Sequence, residues 1–138
     1  METIKDYFLK DEFARRMGIE LVDVAPGRAR ARLTVRPEHH NAVGLAQGGA
    51  IFTLADFAFA AASNSHGQMA LGIQASISFL KGVPEGTLTA EAREISRSHK
   101  LAVYAVEVTD GQGQPVAAFQ GTVYRKKDRL PFADSDAS

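Results

Sequence analysis

Residues 48–62 read Gly48-Gly49-Ala50-Ile51-Phe52-Thr53-Leu54-Ala55-Asp56-Phe57-Ala58-Phe59-Ala60-Ala61-Ala62, an apolar and small-residue run with one carboxylate in its middle. A helix apolar on nearly every face has to be wrapped by other elements. A charge on such a helix must be neutralised, paired or given chemical work, because burying an unpaired carboxylate costs several kcal/mol or more. Asp56 is therefore expected to be buried and is the first candidate for function.

The segments on either side show what wraps the helix. Upstream, Thr3-Ile4-Lys5-Asp6 has the form of a capping box, and Ile4, Phe8, Phe13 and Met17 recur at roughly helical spacing before Gly18. A short or broken N-terminal helix is expected there. Ile19 to Val24, the turn pair Pro26-Gly27 and the alternating Ala29 to Val35 read as a hairpin with one solvated face. Pro37 to Gly44 is polar and turn-rich, so the helix starts near Gly48 and ends between Asn64 and Gly67.

Downstream, Leu71, Ile73, Ala75, Ile77 and Phe79 fall on one side of a strand by simple alternation. Thr87 to Ser96, Leu101 to Thr109 and Val116 to Arg125 supply three more strands, the last two joined by a hairpin turn at Asp110-Gly111-Gln112-Gly113. A twisted antiparallel sheet of five to six strands curling around one central helix is the economical arrangement, so the fold class is α+β. A single domain over residues 1–130 is expected, followed by a polar tail, 131–138, expected to be disordered.

Composition narrows the function classes. A chain of 138 residues with 45% hydrophobic content suits one domain with a real core. Sixteen basic and sixteen acidic residues cancel, which argues against a nucleic-acid partner. The opening residues lack a signal pattern and no apolar stretch approaches the ~20 residues of a membrane span, so a cytoplasmic protein without a membrane partner is expected. The absence of cysteine excludes disulfides, thiolate nucleophiles and cysteine metal sites. His39 and His40 are adjacent in a turn-rich segment without a third ligand, so they read as loop residues and no metal site is expected.

Gly48 and Gly49 lie at the first turn of the helix, where backbone N–H groups lack intrahelical partners and the dipole favours negative charge. Such an end stabilises an oxyanion, although the pair also reads simply as a tight loop-to-helix turn. Asp56 lies two turns beyond Gly49 on the same face, ~10 Å along the axis. It reads either as chemically active or as a structural carboxylate bonded to Thr53 or a neighbouring strand. One carbonyl cannot touch both the glycine amide and Asp56 of one helix, since each must come within ~3 Å of the reacting centre. A symmetric dimer with antiparallel helices, Asp56 of one copy facing Gly48 of the other, resolves the distance. Asn64, eight residues beyond Asp56, is a candidate substrate contact. His66 suits the helix C-terminus. No Gly-x-Ser-x-Gly elbow is present, and Gly111-Gln112-Gly113 lacks the strand-loop-helix context of a dinucleotide site.

Asn41-x-x-Gly44-x-x-Gln47-Gly48-Gly49 followed by Leu54-Ala55-Asp56-x-Ala58 resembles the hotdog-fold acyl-CoA thioesterases of the phenylacetate-degradation (PaaI-like) type. Phe13 to Gly27 and Ile77 to Gly82 extend the resemblance over most of the chain. It implies a hotdog fold and a cofactor-free thioester hydrolase acting on an aryl or medium-sized acyl-CoA. Asp56 would be nucleophile or general base, the Gly48 amide would polarise the carbonyl, with Gly49 beside it, and Asn41 would hold the loop or its water. The resemblance also implies active sites at a homodimer interface, with dimers paired into a homotetramer, and CoA phosphates near Arg97, His99 and Lys100. Lys81, Arg125, Lys126 and Lys127 are further phosphate candidates. Phe52, Phe57 and Phe59 are candidates to line the acyl pocket or to form core.

In one respect the chain departs from that pattern: Gln47 stands where the family usually has histidine. A glutamine donates an amide N–H but delivers no proton. The thiol leaving group, with a pKa near ~8.5 by analogy with cysteine, needs little acid assistance. Gln47 nevertheless keeps open a second reading, an acyl-CoA-binding protein without hydrolysis. A hotdog hydratase is the third, disfavoured because Ala61 holds the position where such enzymes usually place a catalytic histidine.

Overall fold

The computed structural model describes residues 2–133. Two short helices, α1 (Ile4–Phe8) and α2 (Glu12–Met17), open the chain. Thr3 and Asp6 form the expected capping box, and the break falls where Asp11 caps α2 by accepting the Ala14 N–H at 3.0 Å. Strands β1 (Glu20–Ala25) and β2 (Arg28–Val35) form the hairpin, a 3-10 turn covers Pro37–His39, and α3 spans Gly48–Ser63. Strands β3 (Gln68–Phe79), β4 (Gly86–Arg97), β5 (Leu101–Thr109) and β6 (Pro115–Arg129) complete the chain.

All six strands pair antiparallel in one sheet of order β1-β2-β4-β5-β6-β3. Alternation decides which residues face the helix. In β2, Ala29, Ala31, Leu33 and Val35 are buried while Arg28, Arg30, Arg32 and Thr34 are exposed. On α3, Leu54, Ala55, Ala58, Ala61 and Ala62 are fully buried, so small side chains let the curved sheet approach the helix closely.

The strand after the helix differs from simple alternation. Between Gly72 and Gln74 the β3–β6 register shifts by one residue, so Ile73 is a bulge. An extra residue flips every later side chain to the other face. Leu71, paired with Tyr124, therefore points outward, while Ile77 and Phe79 pair with the buried Phe119 and Ala117 on the helix side. The tail expectation also needs correction at its start. Leu130, Phe132 and Ala133 are buried, and the Phe132 ring meets Tyr7 with centroids 5.6 Å apart. An apolar ring beside an aromatic N-terminal helix gains more from burial than from solvent. The remainder of the expected tail, 134–138, lies outside the described residues.

Phe59 is core, 2% exposed, with Tyr104 and Phe119 ring centroids at 6.0 and 5.5 Å. The sheet makes room for it with glycine: a Cβ at Gly121 would lie 2.6 Å from Phe59 Cζ, and one at Gly72 3.2 Å from its Cε2. Because the ring is boxed in, Gly121→Ala is expected to lose ~1–3 kcal/mol by overpacking. The urea midpoint measures this, and an unchanged midpoint would show that the ring can retreat.

Candidate active site

The start of α3 is fixed by Gln47. Its φ of −65° and ψ of 140° are extended, and its side-chain Oε1 accepts the Gly49 N–H at 2.9 Å. A backbone N–H only donates, so the atom facing Gly49 is the oxygen and the Gln47 NH₂ group points away. Gly48 is the first helical residue, and its N–H has no partner among the described residues. Of the two glycines, Gly48 thus keeps a free donor while Gly49 is committed to the cap. This N-cap role was not legible in the sequence, since glutamine is not a favoured cap residue.

Asn41 organises the preceding loop. Its Oδ1 accepts the Val43 and Leu45 N–H groups at 3.0 and 3.1 Å, and its own N–H donates to Leu45 O at 2.7 Å. These bonds hold the loop together, and the Asn41 side-chain NH₂ is without a partner among the described residues. The ring of Phe79 lies beside this helix start, with its Cζ 3.1 Å from where a Gly48 Cβ would be.

Asp56 departs from expectation: it is exposed, not buried. The sheet wraps most of α3 but leaves open a stripe in which Gly49 and Asp56 are exposed and Phe52, Thr53 and Ala60 half-buried. These positions recur at helical spacing, which makes them one face. The carboxyl has no hydrogen bond or ion pair among the described residues. Thr53, its expected structural partner, donates instead to Gly49 O at 2.7 Å. Partial desolvation by the surrounding protein pushes the Asp56 pKa up despite its solvent contact, and the like charge of Asp11 pushes it further.

Asp11 is a site neighbour that sequence reading missed, since the two aspartates are far apart in the chain. Removing its charge lets the Asp56 pKa fall. Asp11→Asn, which retains a good N-cap, is therefore expected to move the acid limb of the kcat/KM profile to lower pH. A pH–rate series on wild type and variant measures it, and an unmoved limb would break the link between the two.

The remaining candidates divide. Asn64 is 7% exposed, its NH₂ donating to Ala60 O and Ala70 O while its Oδ1 accepts the Ala70 N–H. It closes the helix end and is unavailable to substrate, which corrects its assignment as a contact. His66 donates to Glu94 Oε1 at 2.9 Å, tying the same end to β4. Lys81 is paired with Asp110 at 2.6 Å, and Arg97 leans toward Glu94 at 3.8 Å. His99 and Lys100 instead line one surface cleft together with Tyr124, Arg125, Lys126 and Lys127. Phe57 is core, 5% exposed, whereas Phe52 reaches a cleft beside the start of α3.

One antiparallel six-stranded sheet curled around a central helix is the hotdog architecture. The chain belongs to the thioesterase superfamily, which matches residues 44–117. Within it the protein is a PaaI-like hotdog thioesterase. The acyl-coenzyme A thioesterase PaaI of Escherichia coli is 35% identical over 116 residues, 83% of each chain. The solved structure of the E. coli PaaI protein superposes with a TM-score of 0.86 at 33% identity, covering 89% of this chain and 90% of that one. A mutant structure of the phenylacetic acid degradation protein PaaI from Thermus thermophilus gives 0.81 at 37% identity, covering 84% and 100%. A relative in Archaeoglobus fulgidus is 41% identical over 133 residues, 95% of this chain and 86% of its own.

Proposed function

We propose that the protein hydrolyses acyl-CoA thioesters carrying an aryl or medium-sized acyl group, at sites formed between two copies of the chain. The observation that carries this reading is the pair of unpartnered groups on α3, the Gly48 N–H and the Asp56 carboxylate. They stand ~12 Å apart at ~1.5 Å per residue, too far to serve one carbonyl within one chain. A second copy related by a two-fold axis, with its α3 antiparallel, brings each Asp56 to the other's Gly48.

Two features favour that assembly. The open stripe of α3 is apolar apart from Asp56 and Thr53, and β3 lies at the sheet edge with Ile73 60% and Phe79 53% exposed. An exposed apolar edge strand is a template for pairing with another chain. Covering the stripe would also remove water from Asp56, raising its basicity further. A homotetramer of two such dimers is the assembly the resemblance implies.

In the proposed reaction the Gly48 N–H holds the thioester carbonyl oxygen, and negative charge builds there as the carbonyl carbon is attacked. Asp56 either attacks directly, giving an acyl anhydride that water then opens, or takes a proton from the attacking water. The C–S bond breaks and CoA leaves as a thiolate. Following oxygen-18 into Asp56 in a single turnover separates the two routes. The cleft of His99, Lys100, Arg125, Lys126 and Lys127, basic on balance although Asp128 also lines it and lies 3.8 Å from Lys126, suits the CoA phosphates.

A second reading, acyl-CoA binding without turnover, is favoured by Gln47, which supplies no proton. Thiol release over a panel of acyl-CoAs by wild type and Asp56→Asn decides between them. Tight binding with no thiol released selects the binder, and hydrolysis unaffected by Asp56→Asn would sink the mechanism.

A further inference from the structure

The cleft beside the start of α3, about 490 Å³, has a lining of mixed character. Its lining combines Gln47 and Gly49, on either side of Gly48 in the chain, with the polar Thr53, Glu38 and His40 and the apolar Phe13, Met17 and Phe52. Phe52 is held in place by Phe119, ring centroids 5.5 Å apart and steeply inclined. Across from it Phe13 leaves α2 65% exposed, where the helical spacing of the N-terminal segment anticipated an apolar contact. An aromatic ring left open on the wall of a cleft marks a surface that an apolar group completes.

The wall that carries Phe13 is fixed in position by His39, a residue the sequence assigned to a loop. His39 is 4% exposed. Its Nδ1 accepts the Arg36 N–H at 2.9 Å, so its Nε2 bears the proton and donates to Met17 O at 2.8 Å. Its own carbonyl accepts the Gln47 N–H at 2.8 Å. One residue thus joins the last turn of α2 to the cap of α3.

We propose that α2 is the acyl-selecting wall of the site, with Phe13 and Met17 touching the acyl group and His39 as the positioning residue that sets this wall against the Gly48 amide. The inference rests on the acyl-CoA reading above. Because Gln47 and Gly49 on either side of Gly48 both line this cleft, a carbonyl held at Gly48 can direct its acyl substituent toward Phe13, Met17 and Phe52. Two phenylalanine faces and a thioether favour a ring or a medium-length chain, which spans the cleft, and give a two-carbon acyl group nothing to touch.

The test compares kcat/KM for acetyl-, hexanoyl- and benzoyl-CoA in wild type, Phe13→Ala and Met17→Ala. Phe13 is exposed and alanine is a strong helix former, so the first variant should fold. Expected is a loss of about 10- to 100-fold for benzoyl- and hexanoyl-CoA with acetyl-CoA little changed. An equal loss across the panel, as contact with the common pantetheine arm would give, overturns the inference, and so does no loss. His39→Ala should erase the preference for benzoyl- over acetyl-CoA mainly through KM, and His39→Gln, which can still donate toward Met17 O, should restore part of it. If no acyl-CoA is hydrolysed, the hydrolase reading fails and the wall is read by calorimetry instead. A Kd for benzoyl-CoA raised about tenfold by Phe13→Ala, with free CoA unchanged, then supports it, and an unchanged Kd overturns it.

Discussion

Asp56→Asn is expected to lower thiol release by ~10²–10⁴-fold, the usual cost of removing a positioned base, while raising the thermal midpoint at neutral pH. The activity loss follows because asparagine keeps the shape but neither attacks a carbonyl nor takes a proton. The stability gain follows from the sign of the pKa shift. Partial desolvation, and then Asp11, raise the folded-state pKa of Asp56 above its unfolded value. Its contribution to stability is therefore complete below the unfolded pKa and lost as pH rises through the folded one. At neutral pH wild type carries an ionised group that folding disfavours and the variant does not. The difference in midpoint should close as the pH falls below ~4, where the unfolded carboxyl also takes up a proton. Thermal melts of both proteins across this range measure it. A variant that loses activity and is also less stable at neutral pH would mean that Asp56 makes a structural bond in the assembly.

Gly48→Pro is expected to lower kcat by ~10²–10³-fold, the cost of one oxyanion donor. Proline removes the N–H without disturbing the backbone, because Gly48 is the first helical residue, where proline is favoured, and Gln47 already has the extended backbone that a following proline requires. Gly48→Ala is the control. It keeps the N–H and adds a Cβ that meets only the tip of the half-exposed Phe79 ring. Equal losses in both variants would assign the effect to space rather than to the amide. Mixing unfolded Gly48→Pro with Asp56→Asn and refolding them together tests the shared site. Statistical pairing makes half the dimers mixed, each with one intact site, so about a quarter of wild-type activity should return. A mixture that stays inactive rules out a site divided between two copies.

Much of this protein was legible because the relevant signals are local. The run from Gly48 to Ala62 announces a wrapped helix, the alternation in Ala29 to Val35 announces a half-buried strand, and Pro26-Gly27 and Asp110-Gly111 announce turns. The helix period alone shows that Gly48 and Asp56 cannot meet one carbonyl, and the motif from Asn41 to Asp56 is enough to recognise the family. The errors arise where pairing or packing intervenes. The Ile73 bulge reverses the faces of β3 because register belongs to two strands at once. Asn64 was a reasonable contact by spacing alone, yet β3 returns close to the helix end, and Ala70 of β3 together with Ala60 of α3 occupies its amide.

By itself, the sequence determined the elements, their order and the two residues proposed to carry the chemistry, because hydrophobic period, turn residues and motif spacing are properties of neighbouring positions. Only the tertiary structure decided which groups on that helix remain free. Gln47 takes the Gly49 amide and leaves that of Gly48, Thr53 turns from Asp56 to Gly49, and the sheet stops short of the stripe bearing the carboxylate. Hydrogen bonds and solvent access are settled by what lies across space, so a carboxylate that the chain's apolar pattern predicts to be buried emerges on an open face.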